Sequence, residues 1–125
     1  TQRYLQDWDA YLKIQNTGGR DLGLDDLELT FDDGKIFHYK EDYRPTVGVK
    51  HTLPLQIKAQ DSLRLRFEAC SISFFFIKVE GDRLKTLKHI RAIDYRGRGH
   101  QFPESVIKAF NAFIHEYFKE SKKYM

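Results

Sequence analysis

The chain of 125 residues has one cysteine, one methionine, one tryptophan and three prolines. A lone Cys70 excludes an intrachain disulfide and any cysteine-based zinc site. No run approaches the ~18 apolar residues that a membrane span needs. Nothing near Thr1 has the layout of a signal peptide. Gly-x-Ser-x-Gly, a glycine-rich phosphate loop, paired catalytic carboxylates and a lipid-attachment signal are all missing from the sequence. Cys70 lies between Ala69 and Ser71 in an apolar neighbourhood, where a thiol behaves as a small inert hydrophobe.

What is present belongs to a folded chain. Hydrophobic residues make up 41% and charged residues 31%, enough apolar surface for one core at this length. The net charge of +3 is too weak to announce a nucleic-acid binder. Its distribution is lopsided: residues 1–42 carry net −5 and residues 43–125 net +8. Much of the positive excess lies in residues 78–100. Such polarity can steer an acidic partner, but the favoured reading is that the halves complement each other in the fold or are simply solvated faces.

Two-residue alternation dominates the pattern, the mark of half-buried strands. Trp8, Ala10, Leu12 and Ile14 form one inward series, ending in the turn residues Asn16-Thr17-Gly18-Gly19. Leu27, Leu29 and Phe31 form a second, which turns at Asp32-Asp33-Gly34 into Ile36-Phe37-His38-Tyr39. A three-residue loop with Gly34 in the left-handed position pairs Leu29 with Phe37, Leu27 with Tyr39 and Glu28 with His38. That register keeps the apolar groups on one face, whereas a one-residue slip would expose them.

Residues 41–52 read as a connection. Leu53, Leu55 and Ile57 make a short strand, with Pro54 marking an edge. Leu63, Leu65 and Phe67 line another. Ile72 to Val79 is apolar on both faces and reads as a doubly buried strand, with a short helix as the alternative. Glu80 to Arg83 is a turn. Leu87 to Tyr95 is a strand, turning at Arg96-Gly97-Arg98-Gly99 into His100-Gln101-Phe102.

From Pro103 the period becomes helical. Pro103 and Glu104 suit a first turn. Val106, Phe110, Phe113, Ile114, Tyr117 and Phe118 then recur along one face. This stripe either caps an open end or edge of the sheets or meets a partner through Phe110, Phe113, Ile114, Tyr117 and Phe118; the cap is favoured because six large apolar groups rarely stay exposed. The expected architecture is mainly β: an immunoglobulin-like antiparallel β-sandwich of about seven strands over residues 1–102. An amphipathic C-terminal helix, 103–125, packs on the same domain.

Several turn signals fall in a familiar order: Asn16-Thr17-Gly18 after a strand, Asp33-Gly34 between strands, Leu53-Pro54-Leu55, Asp61-Ser62 opening a strand, and Ile93-Asp94 with Gly97-Arg98 beyond. Across residues 10–102 this resembles small bacterial immunoglobulin-like domains of unassigned function, often attached behind an N-terminal membrane-spanning helix. Phe74-Phe75-Phe76 and the long final helix depart from that pattern. The resemblance brings no catalytic residues. A chain beginning at Thr1 then fits a processed product or a segment of something longer, cytoplasmic or part of a membrane-attached parent. With side chains explained by folding and no convergent catalytic set, the expectation is an accessory or protein-interaction module of a bacterial protein.

Chemistry-bearing groups are sparse. His38, His51, His89, His100 and His115 match no zinc spacing, so no metal or cofactor is expected. The acidic group Asp21, Asp25, Asp26, Glu28, Asp32 and Asp33 raises a calcium reading, but it fits no EF-hand loop, and Asp33-Gly34 is a turn for backbone reasons. Lys88, Arg91, Arg96, Arg98 and His100 form the candidate polyanion-binding set, with arginines to meet phosphate and Tyr95, His100 and Phe102 to stack. The expected function is a non-enzymatic interaction module whose partner is a protein, a second copy of the chain included. A weak nucleic-acid or polyanion binder is the alternative. A small hydrolase or ligand-binding sandwich would require a concave pocket with convergent polar groups.

Overall fold

A computed structural model describes residues 8–44, 52–77 and 83–121. Seven strands alternate with turns: β1 Asp9–Gln15, β2 Leu22–Phe31, β3 Ile36–His38, β4 Leu55–Ile57, β5 Ser62–Glu68, β6 Leu87–Asp94 and β7 Gly99–Gln101. One helical turn, α1 (Tyr39–Asp42), follows β3. Another, α2 (Ala69–Ile72), follows β5 and runs into a 3-10 turn at Ser73–Phe76. The long helix α3, Glu104–Ser121, comes last. The fold is therefore mainly β, antiparallel throughout, with a C-terminal helix. His51 and residues 78–82, including Lys78, Val79 and most of the expected Glu80–Arg83 turn, lie outside the described residues.

β1 pairs with β5 in one sheet, Leu12 opposite Leu65. The second sheet runs β3-β2-β6-β7, with β4 also on β2. Since β6 pairs along β2 from Leu24 to Phe31, both β3 and β4 occupy the opposite edge of β2, one at each end. Leu12, Ile14, Leu65 and Phe67 from the first sheet join Leu24, Leu27, Leu29, Phe31, Leu87 and Ile90 from the second in one hydrophobic cluster.

Two hairpins share one device. Gly34 has φ +83° and Gly97 φ +81°. Each closes a three-residue loop: the Phe31 amide donates to Lys35 at 3.0 Å and the Asp94 amide to Arg98 at 2.9 Å. The first hairpin has the expected register, with Leu29 opposite Phe37 and Glu28 opposite His38. The expected Leu27–Tyr39 pair does not form, because Tyr39 opens α1 and buries its ring against Tyr43 (4.8 Å) and Phe67 (5.4 Å).

β2 contains a bulge that simple alternation does not reveal. Leu24 pairs with Asp94 and Asp26 with Ile93, so Asp25 is an extra residue. The inserted residue shifts the side-chain parity. Leu24 points inward before it, and Leu27, Leu29 and Phe31 point inward after it.

The run around Phe74 is not a strand, and the helical alternative is the one adopted. A 3-10 turn spaces side chains about 120° apart, so three consecutive rings go three ways. Phe76 is fully buried, its ring 4.8 Å from Phe31. Phe75 packs 4.6 Å from Phe37, and Phe74 is left 76% exposed.

The apolar stripe of α3 faces the domain instead of a partner. Phe110, Ile114 and Tyr117 are buried, and Phe113 and Phe118 pack against the core. Phe110 meets Phe67 at 5.4 Å, and Trp8 lies over Phe113 and Tyr117. The helix also covers strand edge. β7 pairs only with Arg91 to Ile93, leaving the start of β6 open on that side. There Asn111 acts as a surrogate strand: its Oδ1 accepts from the Leu87 amide and its Nδ2 donates to the Leu87 carbonyl, both at 2.9 Å.

Asn111→Ala strips both partners from Leu87 and is expected to lower unfolding free energy by about 1–3 kcal/mol. Urea denaturation measures this, and a loss within about 0.5 kcal/mol of zero would refute the edge-capping role.

Candidate functional site

Three surfaces collect the chemistry. The first is the outer face of the second sheet, where β2, β3 and β6 lie side by side. Glu28 is flanked by His38 on β3 and Arg91 on β6. Asp26, two residues earlier, comes next to them. The His38 Nδ1 is 3.0 Å from Asp26 Oδ2 and 3.7 Å from Glu28 Oε2, while Arg91 is 3.7 Å from Glu28 Oε1. The other oxygen of Asp26 accepts from the Lys40 amide at 2.9 Å. Burial lowers the His38 pKa, but the hydrogen bond to Asp26 and the charges of Asp26, Glu28 and Asp42 outweigh it, so the net shift is upward.

The acidic residues do not converge as a calcium loop. Asp21 accepts from the Ala59 amide, Asp25 pairs with the Lys40 ammonium at 3.1 Å, and Asp33 caps the Lys35 amide in its turn. The contact between Asp26 and His38 was not legible from spacing. It depends on the bulge at Asp25 and on pairing between strands, and the one available signal was the change from Leu22 and Leu24 to Leu27 and Leu29 as the inward series.

The second surface is the β6–β7 hairpin, where the polyanion candidates do not come together. Lys88 lines a separate groove of about 440 Å³ beside His89, Gln101 and Glu104. With β residues rising about 3.3 Å each, it is some 20 Å from the hairpin tip. Arg91 faces Glu28 on the outer sheet surface. Arg96 and Arg98 occupy the tip, where Asp94 Oδ1 accepts from both of their amides at 2.9 Å. His100 Nε2 lies 2.9 Å from Asp94 Oδ2. A carboxylate thus stands at the centre of this supposed anion site.

The third surface was not anticipated. Phe31, Ile36, Phe37, Phe74, Phe75 and Ile77 line a cleft of about 410 Å³, with Lys35, Lys85 and Asp42 around it. Ile36 is 45% and Ile77 42% exposed. Part of the edge of β3 beside it is taken, because Asp42 Oδ2 accepts the His38 amide at 2.8 Å. Lys85 is tied to Asp33 at 3.1 Å, whereas the Lys35 ammonium makes no ion pair among the described residues, although its charge also favours the Asp33 carboxylate.

No helix among the described residues is long and apolar enough to cross a membrane. No family model, curated protein or solved structure matches the chain.

The hydrogen bond to His100, followed by the amides of Arg98 and Arg96, holds the Asp94 carboxyl below its ordinary 3.8. A depressed carboxylate stabilises the fold above its unfolded pKa, and that contribution disappears as pH falls through the native value. An NMR acid titration should show the Arg96 and Arg98 amides moving together with a midpoint below 3.8. Amides that stay still, or that move with an unshifted midpoint, would rule out this role for Asp94.

Proposed function

We propose that the chain is a non-enzymatic protein-interaction module of the immunoglobulin-like kind, an accessory part of a bacterial protein, and that it binds its partner through the cleft between β3 and the Phe74 turn. The observation that carries this reading is Phe74, 76% exposed beside an open apolar cleft. A phenylalanine left in water forgoes roughly 1.5–3 kcal/mol of burial. Aromatic groups next to pockets are where binding energy concentrates. The exposed Ile36 and Ile77 extend the apolar floor.

The occupant is a protein segment that presents a large apolar side chain beside a carboxylate. The apolar group enters between Phe74 and Phe37, and the acid meets Lys35, the rim cation without an ion pair among the described residues. Strand addition along β3 is a poor route, since Asp42 already occupies the His38 amide. Seven antiparallel strands in two sheets around one core support the immunoglobulin-like part of the reading.

A displayed random-peptide library panned against the full chain tests it. Enriched peptides should combine an aromatic or aliphatic residue with an acid. Phe74→Ser should weaken them by at least about tenfold while moving stability by no more than about 0.5 kcal/mol. The reading fails if no peptide is enriched, or if wild type and variant bind the enriched peptides equally. Turnover of a substrate that vanished with one polar substitution would overturn its non-enzymatic part.

A further inference from the structure

We propose that Asp26, Glu28 and His38 form a binding site for a divalent cation of the zinc class. Strand geometry places the donors. Asp26 and Glu28 stand two residues apart on the outer face of β2, and His38 is directly opposite Glu28 on β3. One ligand atom from each falls within 4.8 Å of the other two. Zinc with arms of about 2.0–2.1 Å spans tetrahedral edges of about 3.4 Å. The His38–Asp26 and His38–Glu28 separations, 3.0 and 3.7 Å, bracket that edge.

Hydrogen-bond accounting points the same way. His38 Nδ1 carries at most one proton, which its 3.0 Å contact assigns to Asp26. Glu28 is then left with His38 and Arg91 each at 3.7 Å, too far for a hydrogen bond, although its side chain is only 20% exposed. A divalent ion answers both carboxylates at once and balances their two charges against a neutral imidazole. The mixed nitrogen and oxygen set suits zinc better than calcium or magnesium, which favour oxygen alone.

The surroundings already hold the donors in place. The Lys40 amide fixes one oxygen of Asp26, and the Asp42 carboxylate fixes the backbone of His38. Such supporting contacts orient metal ligands. Side-chain exposures of 10%, 20% and 35% for Asp26, Glu28 and His38 leave a fourth position open toward solvent, where water completes the shell.

Isothermal titration of the full chain with zinc chloride is the test. One equivalent should bind. His38→Ala and Asp26→Asn should each weaken binding by at least about 100-fold, given that loss of a supporting contact alone costs about 10–100-fold. Glu28→Gln, a near-isosteric change, should weaken it in the same direction, and His100→Ala should leave it unchanged. The site is refuted if wild type takes up no zinc, or if uptake survives His38→Ala, which would move the binding to another histidine.

Discussion

β2 must serve three other strands with one backbone, and the extra residue at Asp25 is what makes that possible. Ten residues in strict alternation would point either Leu24 or the Leu27-Leu29-Phe31 series into solvent. With the bulge, Leu24 is 1% exposed and Leu27 0%. Burying one such side chain contributes roughly 1.5–3 kcal/mol, so misdirecting the three-residue series would cost an amount comparable with the stability of an ordinary domain, about 5–15 kcal/mol. The same insertion turns Asp26 outward beside Glu28 and His38. Core closure and the one mixed-donor cluster found among the described residues therefore have a common cause.

The two sheets alone do not close the core. β1 and β5 make a narrow ribbon, and two-stranded ribbons are marginal unless something packs on them. Helix α3 supplies the missing wall, with Phe110 set between Phe67 of β5 and Phe76 of the 3-10 turn. The neighbouring loop is also pinned by a buried amide. Asn16 Nδ2 donates to the carbonyls of Arg20 and Ile57, and its Oδ1 accepts the Gly18 amide. Asn16 was legible as a turn former but not as this brace, because its acceptor on Ile57 is 41 residues away in sequence.

Local periodicity located β1, β5, β6 and α3, and the Asp33-Gly34 and Gly97 turns were identifiable because only a few residues tolerate positive φ. Failures came where a local pattern had two solutions. Phe74-Phe75-Phe76 has no period, so length and aromatic content favoured a buried strand, whereas packing on Phe31 and Phe37 selects a helical turn. The cleft beside Phe74 was hidden for the same reason. The basic set was legible only as residues: Arg91 meets Glu28 only once β2 and β6 pair, whereas Asp94, close in sequence to Arg96 and Arg98, holds their backbone amides.

That pairing also accounts for the lopsided charge. Acids from the first third of the chain meet bases from the remainder: Asp9 with Arg66 at 2.9 Å, Asp33 with Lys85 at 3.1 Å, and Glu28 with Arg91 at 3.7 Å. Partly withdrawn from water, such pairs set their attraction against the cost of desolvation, so the segregation serves register more than stability. Each is made across strands or between loops that alternation alone leaves free to slip, and a slip by one residue would set Glu28 opposite Ile90 or Ala92 instead of Arg91. Lys85 shows the arrangement at its tightest: only 9% exposed, with its ammonium 5.4 Å from the Phe31 ring and its charge answered by Asp33. Lys35, two residues beyond Asp33, makes no ion pair among the described residues, and its charge reaches Asp33 only as a weaker attraction behind that of Lys85.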